Sequence, residues 1–304
     1  MTHNITRRDL LRNAAFAAAG IALPFRMHAD EADHSDQARL TAWTSTLRRE
    51  APKFRGKPFG RRAVRVGELA VGSPYEAFAL EAYIKAGGNP EGLEPLALSL
   101  SRFDCVTLVE SCLAVARVGT GMPRPTWRRF AREVERMRYR GGKREGYVSR
   151  LHYFSEWISD GEKRGLVRDL GKELGGVVDP RPLRFMTEHR SLYPALADDN
   201  VFGAIRAMEK SLDSHQRYMI PAAGIPDVVD RIESGDVLAF TTSVPGIDVS
   251  HAAYAYRGAD GVLRVLHAPL SGGAVEITRT TLPEYVSAIR KATGILIARP
   301  FFVS

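Results

Sequence analysis

One stretch of the chain, residues 101–116, restricts the possible folds more than any other. It reads SRFDCVTLVESCLAVA, and after the aspartate it is apolar on nearly every side of a helix. A helix of that kind is stable only when it is buried in the middle of a domain. Asp104 precedes it, where a carboxylate can accept the backbone N–H groups that the first helical turn leaves free. The pattern predicts a buried helix that begins at Cys105.

Cys105 is a candidate nucleophile because of its place at the helix start. The positive end of the helix dipole, roughly half a charge, favours the thiolate, which is the reactive form of cysteine. An arbitrary buried cysteine is more often a small core residue. Cys112 follows seven residues later. At about 1.5 Å rise per residue the two Cα atoms are roughly 10 Å apart, too far for a disulfide, so we expect two free thiols.

The N-terminal segment has the pattern of an export signal. Arg7 and Arg8 precede a short, alanine-rich apolar stretch at 14–23. This is typical of a twin-arginine signal peptide, and a stable membrane span would need about 20 strongly apolar residues. We expect residues 1–29 to be the signal peptide and residues 30–65 to hold a leader and an N-terminal helix. The mature protein is then expected to be periplasmic, with no stable membrane anchor.

Composition and charge indicate an ordinary globular protein without a nucleic-acid partner. The 304 residues are 44% hydrophobic and 26% charged, with a formal net charge of +8. Part of this charge belongs to the signal segment. The basic residues of 126–168 alternate with acidic ones and do not form the aromatic-interleaved stripe that favours nucleic-acid binding. An anionic cell-wall substrate would also suit this charge.

The hydrophobic pattern changes from helical to strand-like at Asp236. Five short strands are predicted at 237–242, 249–257, 262–269, 274–278 and 294–302. The short turns between them imply an antiparallel sheet. The preceding chain predicts helices, with an irregular stretch at 171–200. The fold class is therefore α+β, with one domain over 66–304 and a helical and irregular insertion at about 120–235.

Two histidines, His251 and His267, fall on neighbouring predicted strands. A cysteine nucleophile needs a base to accept its proton, and the base needs a third group to hold its ring. A hairpin loop of three or five residues near 258–261 would set the two histidines directly opposite each other, with Cβ atoms about 5 Å apart. A loop of two or four residues would send them to opposite faces. The hypothesis therefore predicts an odd loop or a bulge.

The same three side chains leave a second interpretation open. Cys105, His251 and His267 could bind zinc through three ligands with an open fourth position. No fourth ligand has the expected local spacing in the sequence. We therefore expect neither a metal nor a cofactor.

Several short segments resemble those of the NlpC-type cell-wall cysteine peptidases. They are PY at 74–75, DC at 104–105, HAA at 251–253 and LHAP at 266–269. Three further segments resemble the N-acetylmuramoyl-L-alanine amidase-like branch of that superfamily: FDCVTLVE at 103–110, RLHYFSEW at 150–157 and GD at 235–236. The similarity spans roughly residues 66 to 302 and keeps the motifs in the same order.

This resemblance implies a papain-like α+β fold, with the catalytic cysteine at the start of a buried helix packed on a C-terminal antiparallel sheet of about five strands. It implies an exported cysteine amidase that hydrolyses the amide between N-acetylmuramic acid and L-Ala in peptidoglycan fragments. The anhydro form of the sugar is the expected substrate. A stem-peptide endopeptidase of the same superfamily and a non-catalytic cell-wall-binding module are the alternatives.

The resemblance also implies roles for individual residues. Cys105 is the nucleophile, His251 is the base that later protonates the leaving amine, and His267 orients that base. The Tyr75 hydroxyl and the Cys105 backbone N–H face the oxyanion. The remaining candidates for the substrate pocket are Asp104, Arg150, His152 and Tyr153.

Overall fold

The computed structural model of the chain describes residues 34–121, 124–270 and 273–302, so the expected signal peptide lies outside the described residues. Short 3₁₀ turns, including Ala79–Glu81 and Tyr147–Ser149, lie between the helices. No helix in these ranges has the length and apolar character to cross a membrane. The α-helices are α1 (His34–Arg49), α2 (Gly60–Ala70), α3 (Ala82–Lys85), α4 (Cys105–Gly119), α5 (Trp127–Arg138), α6 (Phe154–Lys163), α7 (Phe185–Glu188), α8 (Asp199–Ser211), α9 (Ile225–Val228) and α10 (Leu282–Ala288).

The strands form one antiparallel sheet. They are β1 (Val167–Asp169), β2 (Val177–Asp179), β3 (Arg217–Pro221), β4 (Val237–Thr242), β5 (Val249–Arg257), β6 (Leu263–His267), β7 (Glu276–Ile277) and β8 (Ala292–Pro300). Their order is β2-β3-β8-β4-β5-β6-β7, and β1 also pairs with β8. The α+β class and the five predicted C-terminal strands are confirmed.

The expected sheet size of about five strands was wrong, because β1, β2 and β3 extend the sheet. β1 and β2 have only three residues each, and β2 keeps Val177 and Val178 exposed at the sheet edge. Strands this short do not complete enough of an alternating pattern to stand out from a loop. Their pairing with β8 and β3 is therefore a tertiary feature that the local sequence did not indicate.

Helix α4 is buried as its apolar pattern predicted. It packs against α1, α2, α5 and β5, and every residue from Leu108 to Gly119 is buried. Each large aliphatic side chain on it contributes roughly 1.5–3 kcal/mol by leaving water. The one buried acid, Glu110, accepts a 2.7 Å hydrogen bond from Arg138 Nε on α5. The helix is therefore a rigid support for the residue at its start.

The central sheet lies between two apolar layers. Alternate residues of β5 point to opposite sides, with Tyr254 in the layer that contains α4 and Ala255 in the layer that contains α10. The Tyr254 hydroxyl donates a 2.6 Å hydrogen bond to the carbonyl of Val109 on α4. This bond joins the helix that begins at Cys105 to the strand that carries His251.

Two glycines allow α2 to approach the sheet closely. At Gly60 a Cβ atom would lie 2.4 Å from the carbonyl oxygen of Gly235, and Gly235 has a φ of +101° that favours glycine. At Gly67 a Cβ atom would lie 2.8 Å from the Leu266 side chain on β6. The second contact matters for the site, because Leu266 directly precedes His267.

Candidate active site

The first turn of α4 is held by reciprocal hydrogen bonds. The Asp104 carboxylate accepts the backbone N–H of Thr107 at 2.7 Å, and the Thr107 hydroxyl oxygen accepts the backbone N–H of Asp104 at 2.9 Å. This capping box satisfies two backbone donors at the helix start. Asp104 is therefore the N-cap that the sequence predicted, and Cys105 is the first helical residue.

The protonation state expected for Cys105 was wrong. Burial, and to a smaller extent the Asp104 carboxylate, raise the pKa of the Cys105 thiol to about 12. The backbone N–H groups of Ala252, Val106 and Cys105 itself lower this pKa, but they only partly offset the two larger effects. A helix start lowers a thiol pKa when the thiol stays solvated; here desolvation and an adjacent negative charge outweigh it. The resting thiol is neutral.

His251 and His267 are hydrogen bonded to each other. The distance from His251 Nε2 to His267 Nδ1 is 2.8 Å, and the two rings are nearly perpendicular, with an interplanar angle of 78°. The β5–β6 loop has five residues, 258–262, so the predicted odd loop is confirmed.

The prediction that His251 lies directly opposite His267 was wrong by two residues along the strand. The register pairs Tyr254 with Leu266, which places Ala253, not His251, opposite His267. The two histidines share a face and meet diagonally, at a spacing that long or aromatic side chains can bridge. Compared with a three-residue loop at 258–260, the observed loop ends two residues later, and this accounts for the shift.

Both imidazoles are neutral at neutral pH. Burial lowers the pKa of His251 to about 3, with a contribution from His267, and burial lowers the pKa of His267 to about 4. A neutral His251 can accept a proton. The Ala252 N–H that contacts the Cys105 thiol belongs to the residue after His251, so the thiol and this imidazole lie at the same end of β5.

Tyr75 lies beside the helix start. It forms a parallel β-bridge with Phe103, two residues before the cysteine. Burial raises the pKa of its hydroxyl, and Cys105, when ionised, and the Asp104 carboxylate would raise it further. The phenol therefore stays protonated and can act as a hydrogen-bond donor near the thiol.

Cys105 and His251 line one cleft of about 280 Å³. Its walls come from the start of α4, the segment 147–157, α7 and the start of β5. They include six aromatic side chains: Tyr147, Tyr153, Phe154, Trp157, Phe185 and Tyr193. A surface hollow of about 530 Å³ beside Pro90 and a cavity of about 140 Å³ behind α6 are lined by neither Cys105 nor His251.

Arg150, His152 and Tyr153 line the cleft, but their polar groups already have partners. The Arg150 guanidinium donates to Glu94 at 2.9 and 3.0 Å and to Glu81 at 2.5 Å. The carbonyl of Tyr147 lies 2.9 Å from His152 Nε2, and the Tyr153 hydroxyl donates to Glu209 at 2.6 Å. These contacts shape the wall of the cleft.

The arrangement of Cys105, His251 and His267 differs from that of a metal site. Within the described ranges, no group of three or more His, Cys, Asp or Glu side chains is placed to hold a metal ion. The ring nitrogens of His251 and His267 point at each other across 2.8 Å, whereas zinc ligands converge on a common centre.

Comparison with known proteins places this chain in a family. The sequence profile of the AmiA-like family, described as N-acetylmuramoyl-L-alanine amidase-like, matches residues 65–295. The chain belongs to this family. Its members are described as amidases, so this amidase-like chain is a hydrolase that acts on peptidoglycan-derived material. No match was found among curated protein sequences.

Solved structures agree with the family. An N-acetylmuramoyl-L-alanine amidase from Bacteroides uniformis is 31% identical, with a TM-score of 0.72 over 80% of this chain and 99% of that chain. A Bacteroides fragilis protein, provisionally named a xylanase, is 33% identical, with a TM-score of 0.69 over 77% and 99% of the two chains. A Legionella pneumophila protein is 18% identical, with a TM-score of 0.59 over 88% and 97% of the two chains, and shows the shared fold alone.

Three residues near the site of this amidase-like chain escaped the sequence analysis. The Asp248 carboxylate accepts the backbone N–H of Ser155 at 2.7 Å and so joins β5 to the start of α6. Tyr285 and Glu276 both approach His267, at 3.2 Å and 3.4 Å. Asp248 lies three residues before His251, and this closeness in the sequence could have identified it. Tyr285 and Glu276 reach the site only through the β6–β7 pairing and the packing of α10, which no local pattern indicates.

Proposed function

We propose that this amidase-like protein is an exported cysteine hydrolase of peptidoglycan fragments. It cleaves the amide that joins the lactyl group of N-acetylmuramic acid, in its anhydro form, to L-Ala. One observation carries the proposal: a thiol at a helix start shares a cleft with a histidine, His251, whose Nε2 is hydrogen bonded to a second histidine at 2.8 Å. That is the nucleophile, base and orienting group of an NlpC-type, papain-like hydrolase.

The protonation states favour general-base catalysis over a preformed thiolate. Both the Cys105 thiol and the His251 imidazole are neutral at rest. His251 therefore accepts the thiol proton as the sulfur attacks the lactyl carbonyl. For this its Nδ1 must be unprotonated, so its Nε2 carries the ring proton and donates it to His267 Nδ1.

Collapse of the tetrahedral intermediate expels the amine of L-Ala, which takes its proton from His251. The sugar half remains as a thioester on Cys105 until water, deprotonated by His251, releases the lactyl carboxylate and restores the thiol. The oxyanion faces the Cys105 backbone N–H and the protonated Tyr75 hydroxyl. Each such donor usually contributes about 3 kcal/mol to transition-state stabilisation.

The cleft wall suits a sugar with an attached peptide. Aromatic rings of the 147–157 segment and α7 line it, and flat apolar surfaces of this kind pack against the faces of sugar rings. The cleft carboxylates are already bonded: Glu81 to Arg150, Asp104 to Thr107 and Asp248 to Ser155. A glycosidase needs two carboxyl groups free to face the glycosidic bond, so we favour amide hydrolysis.

Product analysis tests the proposal. The purified protein is incubated with anhydro-muropeptides, and the products are identified by mass spectrometry. The expected products are an intact stem peptide with a free L-Ala amine and a peptide-free sugar. Cleavage within the stem peptide would show an endopeptidase instead. Binding without any turnover would support a wall-binding module.

Two controls identify the chemistry. Cys105→Ala should abolish turnover, and turnover that survives this change would refute the nucleophile. An alkylating reagent should inactivate the wild-type protein while a chelator leaves it active. The opposite result would support the zinc interpretation.

We also propose that the protein reaches the periplasm by the twin-arginine route and there meets muropeptides, with no nucleic-acid partner and no stable membrane anchor after signal cleavage. Arg7 and Arg8 support this proposal. Replacing both with lysine should leave the precursor in the cytoplasm, as followed by fractionation and immunoblotting. Unchanged export of that variant would contradict it.

A further inference from the structure

The His267 side chain is buried, and both of its ring nitrogens face polar groups. On one side, Nδ1 lies 2.8 Å from His251 Nε2 and 3.2 Å from the Tyr285 hydroxyl. On the other side, the buried Nε2 has no hydrogen-bond partner in the described ranges, and the Oε1 atom of Glu276 lies 3.4 Å from it, within ion-pair distance. The β6–β7 register sets Glu276 directly opposite His267, so the two side chains share a face of the sheet.

The three neighbours of His267 differ in what they allow. His251 and Tyr285 can each donate or accept a hydrogen bond, so neither decides which nitrogen of His267 carries the proton. An ionised carboxylate can only accept. Glu276 is the charged side chain that lies within ion-pair distance of His267 in the described ranges, and its negative charge favours the tautomer with the proton on Nε2.

The tautomer of His267 determines that of His251. With its proton on Nε2, His267 has a lone pair on Nδ1 and accepts a hydrogen from His251 Nε2. His251 then has its lone pair on Nδ1, which is the form that can take a proton from Cys105. With the proton of His267 on Nδ1, the chain of hydrogen bonds reverses, and the Nδ1 of His251 is protonated and cannot act as a base.

We propose that Glu276 is a positioning residue that selects the productive tautomers of His267 and, through it, of His251. The reacting groups are those of the proposed function, so the inference rests on that function for its purpose. Glu276 extends the expected set of Cys105, His251 and His267 by one residue, and it does not line the cleft that holds the thiol. Its role is to keep the proton of the base on the nitrogen remote from the nucleophile.

Nuclear magnetic resonance of ¹⁵N-histidine-labelled protein tests this proposal directly, because the ring ¹⁵N chemical shifts show which nitrogen of each histidine carries the proton. Signals of His251 and His267 are assigned by single replacement with asparagine. In the wild type we expect both residues to carry the proton on Nε2. In Glu276→Ala we expect His267 to populate the Nδ1-protonated form. Wild-type His267 protonated on Nδ1, or identical tautomers in the two proteins, would overturn the proposal.

Alkylation of Cys105 by iodoacetamide measures the consequence without any substrate, so a wrong substrate assignment would not affect it. Peptide mass mapping separates Cys105 from the buried Cys112. Removing a group that orients a metal-bound histidine typically lowers metal affinity or activity about 10–100-fold. Water screens the half-exposed Glu276, so we expect an effect at the lower end of that range. Glu276→Ala should therefore slow alkylation about tenfold between pH 6 and 8.

Glu173→Ala is the matched control. The Glu173 side chain is 51% exposed, against 52% for Glu276, and it pairs with Arg168 at 3.6 Å instead of with a histidine. This variant should keep the wild-type alkylation rate and the wild-type tautomers. Equal rates for wild type and Glu276→Ala, or equal slowing in both variants, would show that Glu276 has no positioning role.

Discussion

Arg150 offers a sharp test of whether a cleft residue binds substrate or supports the cleft. Its side chain is only 6% exposed and pairs with two carboxylates, Glu94 and Glu81. Glu94 also accepts hydrogen bonds from Tyr139 at 3.0 Å and Tyr83 at 3.2 Å. Replacing Arg150 with methionine keeps much of the volume but leaves the Glu94 carboxylate, which is 2% exposed, without its cation.

The size of the effect follows from this burial. Removing one partner of a buried ion pair typically costs about 3–5 kcal/mol, because the other charge stays desolvated. Arg150 donates to Glu94 through two nitrogens and to Glu81 through a third, so we expect the Arg150→Met variant to fall within that range. The matched control is Arg264→Met. Arg264 makes two hydrogen bonds to Asp260 at the surface, where water replaces them, so this variant should keep its stability.

Urea unfolding followed by tryptophan fluorescence measures the free energy of unfolding of both variants. A loss of about 3–5 kcal/mol for Arg150→Met, with no comparable loss for Arg264→Met, would confirm the supporting role. If Arg150 binds substrate instead, Arg150→Met will unfold like the wild type and show only a raised KM. That outcome would refute the assignment of Arg150 to the internal ion-pair cluster.

Three further predictions follow from the site. The pKa values of His251 (about 3), His267 (about 4) and the Cys105 thiol (about 12) all lie outside the neutral range, so kcat/KM should be constant between about pH 5.5 and 9. A fall in kcat/KM on the acid side near pH 6.5, the usual histidine pKa, would contradict this. Because the pKa of His251 is lowered in the folded state, the unfolded chain takes up this proton at a higher pH, and the free energy of unfolding falls as the pH drops from about 6.5 towards 3. Between pH 7.5 and pH 5, urea unfolding should show a free-energy loss about 2 kcal/mol larger for the wild type than for His251→Asn, and equal losses would refute this. Gly67→Val should displace Leu266 and with it His267, which lowers the free energy of unfolding by about 1–3 kcal/mol and slows Cys105 alkylation. A melting temperature and an alkylation rate equal to those of the wild type would show that α2 and β6 tolerate the extra volume.

The sequence predicted those parts of the fold whose patterns are local. The buried helix after Asp104 and the strands around His251 and His267 each carry a complete periodic signal, and all of them are present. The three short strands between Val167 and Pro221 were missed, because they are defined by pairing with residues that are distant in the sequence.

The site was predictable at the level of residue types and not at the level of electrostatics. The odd number of residues in the β5–β6 loop placed the two histidines on one face, whereas their diagonal placement depended on the residue at which the loop ends. The thiol pKa depends on how tightly the cleft packs around Cys105, and no pattern in the sequence reports that packing. Glu276 could not be predicted from the sequence, because only the pairing of β7 with β6 brings it to His267.

The central claim is that Cys105 attacks the lactyl carbonyl and holds the sugar half as a thioester. The most direct test mixes the protein with an anhydro-muropeptide, quenches the reaction with acid within milliseconds to seconds, and measures the mass of the intact chain. We predict a transient adduct with the mass of the anhydro-muramoyl group, located on the peptide that contains Cys105 and absent from Cys105→Ala. An adduct that carries stem-peptide mass, or turnover with the Cys105 thiol unmodified at every time point, would contradict the account.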